Sequence, residues 1–464
     1  MRWCSGADMP EAARSRLRGA LAGTCLLERF DLSAAPFLER RGHDAALRAL
    51  DGSLLQGLAR VLASQPAAAR FLALRPMLLE RLAHGSVAAF EQRARELDAF
   101  VGDDDDDRES LLDRIRLLRH EETLFAACHD LGRMLRFARI SSFLSSLAQA
   151  CVRWALRTAE RHSRAPGPSG LAIVGMGRIA GSELTYHSDL DLVFLHPEDS
   201  FGHIRPVQIA QRLIGYLSTM TSAGVAYTVD ARLRPSGRQG ALVTTFASFE
   251  SYQLERAAAW EHLALMRTRA IAGNEAMCQH LLRLIRRRLL ARTKPVWREI
   301  DCMRRRIERG RAARGGNALK TGRGGMMDVE FLAAGALLEC GPSDALPSIA
   351  RLLRSHVRGP QVTALLKDYA FLRQIEARAR WVAGRAIEGL DLERADAPLV
   401  AELVRPGLSE QRLTVELETA QQRIHAAYVR VVEADTIRVL NGDGGRPESG
   451  SGGTHVGHGA RDRS

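Results

Sequence analysis

Long apolar runs are the first thing missing from this chain: no uncharged apolar stretch reaches the roughly eighteen residues that a membrane-spanning helix needs. The N-terminus, MRWCSGADMPEAARSRLRG, also lacks the apolar central block of a secretory signal. Cysteine is scarce and scattered. The seven residues (Cys4, Cys25, Cys128, Cys151, Cys278, Cys302 and Cys340) are odd in number and never form a C-x-x-C pair. That excludes a disulfide frame and a cysteine zinc site, and it suits free thiols in a reducing cytoplasm. Aromatic residues make up only 5% of the chain, and no segment interleaves them with basic residues as single-stranded RNA binding requires. The formal charge of +12 is carried almost wholly by arginine, with a handful of lysines. Such a bias arises in arginine-favouring genomes, so nucleic acid is not the expected partner, and neither is a membrane.

What is present is mostly helix. A chain of 464 residues has length for about three domains. The spacing predicts a helical region over 1–162, a catalytic unit over 163–274, a helical bundle over 275–440 and a disordered glycine-rich tail over 441–464. In GLARVLASQPAAARFLALRPMLLERL, Pro66 and Pro76 each suit the first turn of a new helix, which predicts several short helices in place of one long one. A further helix is expected from Val87 to Phe100. The run Asp103 to Asp107 reads as a solvated linker, since five like charges in sequence repel. Between Glu109 and Arg161, Leu111, Leu112, Ile115 and Leu118 recur at helical intervals and build one buried face. His120 and His129 there read as surface or satisfied core residues. SRAPGPSG, residues 163 to 170, separates this helical portion from the catalytic unit.

The organising stretch is LAIVGMGRIAGSELTYHSDLDLVFLHP, Leu171 to Pro197. A short apolar strand runs into a glycine-punctuated turn, Gly175 to Ser182, and a second strand carries Asp189 and Asp191. Successive side chains of a strand alternate faces, so the two carboxylates project together while Leu190 and Leu192 enter the core. Side-by-side carboxylates repel unless a cation separates them. Mg²⁺ suits such hard oxygen ligands and commonly arrives with substrate phosphates, which the backbone N–H groups of the glycine turn are expected to approach. A third acidic strand, VAYTVDARLRP, holds Asp230. Two-metal phosphoryl chemistry needs such a set; the competing reading is a pair of buried ion pairs with Arg232 and Arg234. Those arginines share a face with Asp230 if the strand stays extended through Leu233, where they would grip a polyphosphate. A helix from Pro206 to Ala223 joins the acidic strands, and the expected result is a small mixed sheet with helices on one face. GALVTT predicts a further strand, and Phe249 to Asn274 a return to helix. Farther on, NALKTGRGGMMDVEF collects Lys320, Arg323, Gly324-Gly325, Asp328 and Glu330. The glycine pair costs about 1 kcal/mol per residue in a helix, which predicts a turn that something approaches closely; the competing reading is a simple interhelical turn with a charged rim.

Four segments, GMGRIAGSELTYHSDLDLVFL, TSAGVAYTVDARLRPSGRQGALVTTFASFESYQ, AAWEHLALMRTRAIAG and KTGRGGMMDVEFLAA, closely resemble the bacterial glutamine-synthetase adenylyltransferase family, within the DNA-polymerase-β-like nucleotidyltransferases. Typical members are longer and carry two such domains in tandem, the first removing AMP from glutamine synthetase and the second attaching it. The present wording, Asp230 to Gly237 with Trp260-Glu261-His262, looks like the adenylylating half in a single-domain version. The resemblance implies an α+β fold: a small mixed-sheet nucleotidyltransferase domain flanked by N-terminal and C-terminal helical domains. It implies ATP as substrate and Mg²⁺ held by the catalytic Asp189, Asp191 and Asp230. It also implies nucleotide contacts at Gly175, Gly177, Arg178, Gly181, Ser182, Arg232 and Arg234, glutamine synthetase as acceptor and PII as regulatory partner. Where the family has lysine this chain has Arg178. Where it has a Gly-Gly pair this chain has Ala180-Gly181, and the added methyl is expected to weaken triphosphate binding. Phosphorolytic removal of AMP, RNA nucleotidyl transfer and a non-catalytic nucleotide- or PII-binding role are the alternative readings.

Overall fold

The computed structural model describes residues 9–39, 44–102, 108–163, 167–197, 204–257, 259–285, 297–312, 319–341, 348–387 and 396–441. The five-aspartate run 103–107 and the tail from 442 lie outside them. Local chemistry sets the helix starts. Asp51 caps the helix Gly52–Ser64 by accepting from the Leu54 N–H, and Pro66 and Pro76 open Pro66–Ala73 and Pro76–Ala83. Phe137–Arg161 is amphipathic and buries its apolar face against Arg108–Leu131 and Ile204–Ser218. His129 is a core residue, with Nδ1 2.8 Å from the Phe125 carbonyl oxygen.

Among the described residues five strands form one mixed sheet: β1 (Ala172–Met176), β2 (Leu190–His196), β3 (Val229–Asp230), β4 (Val243–Thr245) and β5 (Thr268–Gly273). The order is β3-β2-β1-β5, and β4 also pairs with β2. β1 runs antiparallel to β2 and β5, whereas β3 and β4 lie parallel to β2. This is the α+β architecture the sequence predicts, with three corrections. The β3 strand has only two residues. Thr268–Gly273, expected as helix, is an edge strand, because its backbone pairs antiparallel with β1. Helices cover both faces of the sheet, where one face was expected. Ile173, Leu190, Leu192 and Phe194 join the core of the N-terminal helices. Val174, Met176, Val193 and Leu195 pack with Phe249, Leu265 and Leu281 on the other side. A strand buried on both sides reads as a continuous apolar run, which is how Leu190–His196 is built.

A second core fills the C-terminal helices, among them Trp297–Ala312, Met326–Cys340, Pro360–Ala383 and Glu410–Ala434. Pro360–Ala383 ties it to the rest of the molecule: Arg378 pairs with the buried Asp130, and the Trp381 indole N–H donates to Ser64 Oγ at 2.9 Å. The close approach predicted at Gly324-Gly325 is intramolecular. Gly324 has φ +67° and faces the Gln421 backbone carbonyl, which a Cβ would overlap. Gly324→Ala should therefore cost about 3 kcal/mol, from overpacking against rigid backbone and a left-handed φ. Urea unfolding measures it, and unchanged stability would contradict this packing.

Candidate active site

Strand β1 ends in a left-handed residue, Gly177 (φ +59°), which begins the four-residue helical turn Gly177–Ala180. Glycine is required here twice over. A Cβ on Gly177 would stand 3.1 Å from Asp191 Oδ2, and one on Gly175 would press into Ile271 at 2.6 Å. Three N–H groups of this turn are not free in the way the sequence suggests. Gly177 donates to the Arg267 carbonyl at 2.9 Å, Gly181 to Gly177 at 3.1 Å and Ser182 to Ile179 at 3.3 Å. Ser182 (φ +55°) also accepts from Arg269 on β5 through Oγ at 2.7 Å. The turn is thus a rigid floor under the acids. Ala180 is fully buried, so its methyl faces packed protein, not an open phosphate cradle.

The acids converge. Asp191 and Asp230 are direct partners in the parallel β2–β3 pairing, and Asp189 precedes Asp191 by two residues on the same face. One carboxylate oxygen from each of the three lies within 4.8 Å of the others. Asp189 is exposed; Asp191 and Asp230 are half-buried. The chain turns immediately after Asp230, so Arg232 and Arg234 do not share an extended face with it. Asp230 Oδ1 accepts from the Arg232 N–H at 2.9 Å, an Asx-type turn, and the Arg232 guanidinium folds back onto the same carboxylate. Arg234 instead grips its own loop, donating to Ala231 O at 2.6 Å and Gly240 O at 3.1 Å. Arg178 points away from the acids to Glu376, bonding both its carboxylate oxygens at 2.8 and 2.9 Å.

Residues 55–284 match the family model described as glutamate-ammonia ligase adenylyltransferase. Over this stretch the chain is similar to that family. Residues 299–434 match a second model, described as GlnD PII-uridylyltransferase. The chain is also similar to relatives named bifunctional glutamine synthetase adenylyltransferase/adenylyl-removing enzyme. The protein from Nitrosococcus oceani is 33% identical over 317 residues, covering 60% of this chain and 32% of the relative. That from Xanthomonas campestris pv. campestris is 35% identical over 365 residues, covering 73% and 37%. That from Mannheimia haemolytica is 35% identical over 289 residues, covering 56% and 30%. The chain spans about a third of the length of these curated relatives.

Within this stretch the three acids are close enough to share one cation. Burial, then the neighbouring Asp189 and Asp230, push the Asp191 carboxyl up to about 7, against the opposing pull of Lys320 and Arg178. A half-buried carboxylate that holds its proton near neutrality, beside two more, is a donor set short of positive charge. All three donors are hard oxygens, which fits Mg²⁺ or Mn²⁺ and not a thiophilic metal. Ion binding must then displace the Asp191 proton. Apparent affinity for Mn²⁺ should fall about tenfold per pH unit below about 7 and level off above it. Calorimetry in buffers of different ionisation enthalpy should detect proton release at pH 6 and none at pH 8.5; affinity flat across that range would contradict the arrangement.

The later motif reaches the site through one residue. Lys320 is exposed and close enough for its charge to act on Asp191. Arg323 pairs with Glu308 at 2.8 Å, whereas Asp328 is buried on Arg304 and accepts from the Gly324 N–H at 2.8 Å, holding the turn. Glu330 lies 3.7 Å from Arg267. Sequence reasoning missed the partners that lock the floor of the site. Arg267 pairs with Glu183, and Glu376 binds Arg178 from a position 198 residues along the chain, which no local signal announces.

Proposed function

We propose that this chain transfers AMP from ATP to a tyrosine hydroxyl of glutamine synthetase, with residues 163–274 as the catalytic unit between the helical regions 1–162 and 275–440. The convergence of Asp189, Asp191 and Asp230 carries the reading, and the family match and the names of the relatives support the acceptor. Asp189, Asp191 and Asp230 would hold Mg²⁺, which when bound polarises phosphoryl oxygens and favours ionisation of a nearby hydroxyl. A free tyrosine ionises near pH 10, roughly three units above neutrality. The Asp230 carboxylate takes its proton, and the phenolate oxygen bonds to the α-phosphorus as the bridge to the β-phosphate breaks and pyrophosphate departs. Arg232, largely exposed beside Asp230, is free to swing onto the triphosphate and offset charge developing there. Lys320 adds a second positive charge on the Asp191 side. Arg178, tied to Glu376, supports the turn from beneath.

The test is purified protein with α-labelled ATP, Mg²⁺ and glutamine synthetase from the same organism. Label should appear on the synthetase and vanish when its acceptor tyrosine is replaced by phenylalanine; no label on the synthetase would overturn the reading. A second reading, removal of AMP by phosphorolysis, is favoured by the relatives' bifunctional name. Release of ADP from adenylylated synthetase and phosphate would identify it. The match of residues 299–434 to a model named for PII uridylylation supports a PII-type signal protein as regulator. A cytoplasmic setting follows from that partnership, and no described helix is long and apolar enough to cross a membrane.

A further inference from the structure

The sheet fixes two of the three acids, and the third depends on something else. Asp191 and Asp230 face each other in the β2–β3 ladder, whereas Asp189 precedes the first residue of β2 and is exposed. Its place is set by what holds the chain on either side. On the C-terminal side the Leu190 N–H donates to the Thr228 carbonyl at 2.9 Å. On the N-terminal side stands a tight turn, Thr185 to Ser188. The Thr185 carbonyl accepts from the Ser188 N–H at 3.3 Å, and the Thr185 N–H donates to Ser188 Oγ at 3.0 Å. Within this turn His187 has φ +53°, a left-handed conformation that is unfavourable for a residue with a Cβ. Such a conformation persists only where the surroundings impose it.

The side chain of Tyr186 ties the turn to those surroundings. It is 1% exposed, and its hydroxyl donates to Asp130 Oδ2 at 2.8 Å. Asp130 is buried at the end of the helix Arg108–Leu131, and its Oδ1 accepts from Arg378 Nη2 at 2.8 Å. Arg378 comes from Pro360–Ala383 in the C-terminal helices, and Trp381 of the same helix packs edge-on against the Tyr186 ring at 5.0 Å. The acid-bearing turn, the N-terminal helices and the C-terminal helices therefore meet on one carboxylate. Arg378 already neutralises the buried Asp130, so the tyrosine hydroxyl is not needed to balance charge there. Burial, then the Asp130 charge, push the hydroxyl well above the ordinary tyrosine pKa, which keeps it a donor at neutral pH.

We propose that Tyr186 is a positioning residue for cation binding: its bond to Asp130 holds the turn that aims the Asp189 carboxylate toward Asp191 and Asp230. Without that bond the turn is free to relax out of its left-handed conformation, and Asp189 has no ladder to keep it in place. The cation must then order the carboxylate as it binds, and affinity falls by the cost of that ordering. Groups that orient a metal ligand without touching the metal typically contribute about tenfold to a hundredfold in affinity. The inference rests on the reading of the three acids as a cation site, and it adds the residue that completes that site from outside.

The experiment is calorimetric titration of the whole chain with Mn²⁺ at pH 8.5. Tyr186→Phe keeps the ring against Trp381 and leaves Asp130 on Arg378, so the variant should fold and melt only slightly lower. Its Mn²⁺ affinity should fall about tenfold. The same change made in Asp189→Asn should cost nothing further, because the carboxylate that the turn aims is gone. A lower melting temperature with unchanged Mn²⁺ affinity would make the hydroxyl a packing contact alone and overturn the inference. An equal loss in the Asp189→Asn background would overturn it too, by placing the effect away from Asp189. Failure of the wild-type protein itself to bind Mn²⁺ would instead sink the cation reading, and this inference with it.

Discussion

Asp191→Asn should lower AMP transfer about a thousandfold while making the ion-free protein more stable. Loss of one ligand removes several kcal/mol of charge stabilisation in the transition state, and each 1.36 kcal/mol is about tenfold in rate. The stability effect has the opposite sign. Asp191 ionises near 3.9 in an unfolded chain and at about 7 in the folded one, through burial and its acidic neighbours. Between those values the folded state holds the extra proton, so ion-free stability declines as pH rises through this window and the full penalty applies above 7. Asparagine keeps the shape and carries no charge. The variant and the wild type should melt together near pH 4 and diverge toward pH 8, with the variant higher by a few degrees. Adding Mg²⁺ should stabilise the wild type and leave the variant unmoved. A variant that retains transfer, or that melts lower at pH 8, would show that the acids are not a cation site.

The second large effect lies away from the chemistry. Glu376 is buried and gathers three arginines: Arg178 at 2.8 Å, Arg380 at 3.2 Å and Arg373 at 3.4 Å. Burial alone would raise its pKa, but these three charges and the Arg178 hydrogen bond hold the carboxyl at about 2. Glu376→Leu leaves three guanidinium groups in the interior without their common carboxylate, a loss expected at about 3–5 kcal/mol. Because Arg178 belongs to the turn that floors the acids, transfer should fall as well, although Glu376 touches no substrate. Changing Arg178 to Met in the same chain should recover part of the stability and none of the activity, since the turn stays unanchored. The wild-type contribution of Glu376 is complete above its unfolded pKa, near 4.3, and is lost as pH falls toward 2. Denaturant titrations at pH 5 and pH 3 should therefore differ in the wild type, and that difference should shrink in Glu376→Leu. A fully stable Glu376→Leu protein would mean that the arginines find other partners.

Spacing along the chain was enough to place Asp189 and Asp191 on one face of a strand, because a two-residue period is a local property of extended backbone. It was likewise enough to start helices at Pro66 and Pro76, to mark a glycine turn after the first strand, though Gly175 and Met176 of the expected turn belong to β1, and to predict an α+β unit among helices. Those features depend on a few adjacent residues and their own backbone preferences. Other features waited for tertiary contacts. Asp230 meets Asp191 only because a two-residue strand docks in parallel register, and the sequence around it reads equally well as a longer strand. Thr268–Gly273 follows a helix-prone, alanine-rich segment, and the β1 edge is what draws it into the sheet. The Arg178–Glu376 pair and the close approach of Gly324 to the Gln421 backbone each join segments far apart in sequence. A given arginine or glutamine has many chemically adequate partners along the chain, and only the packing of the whole selects one of them.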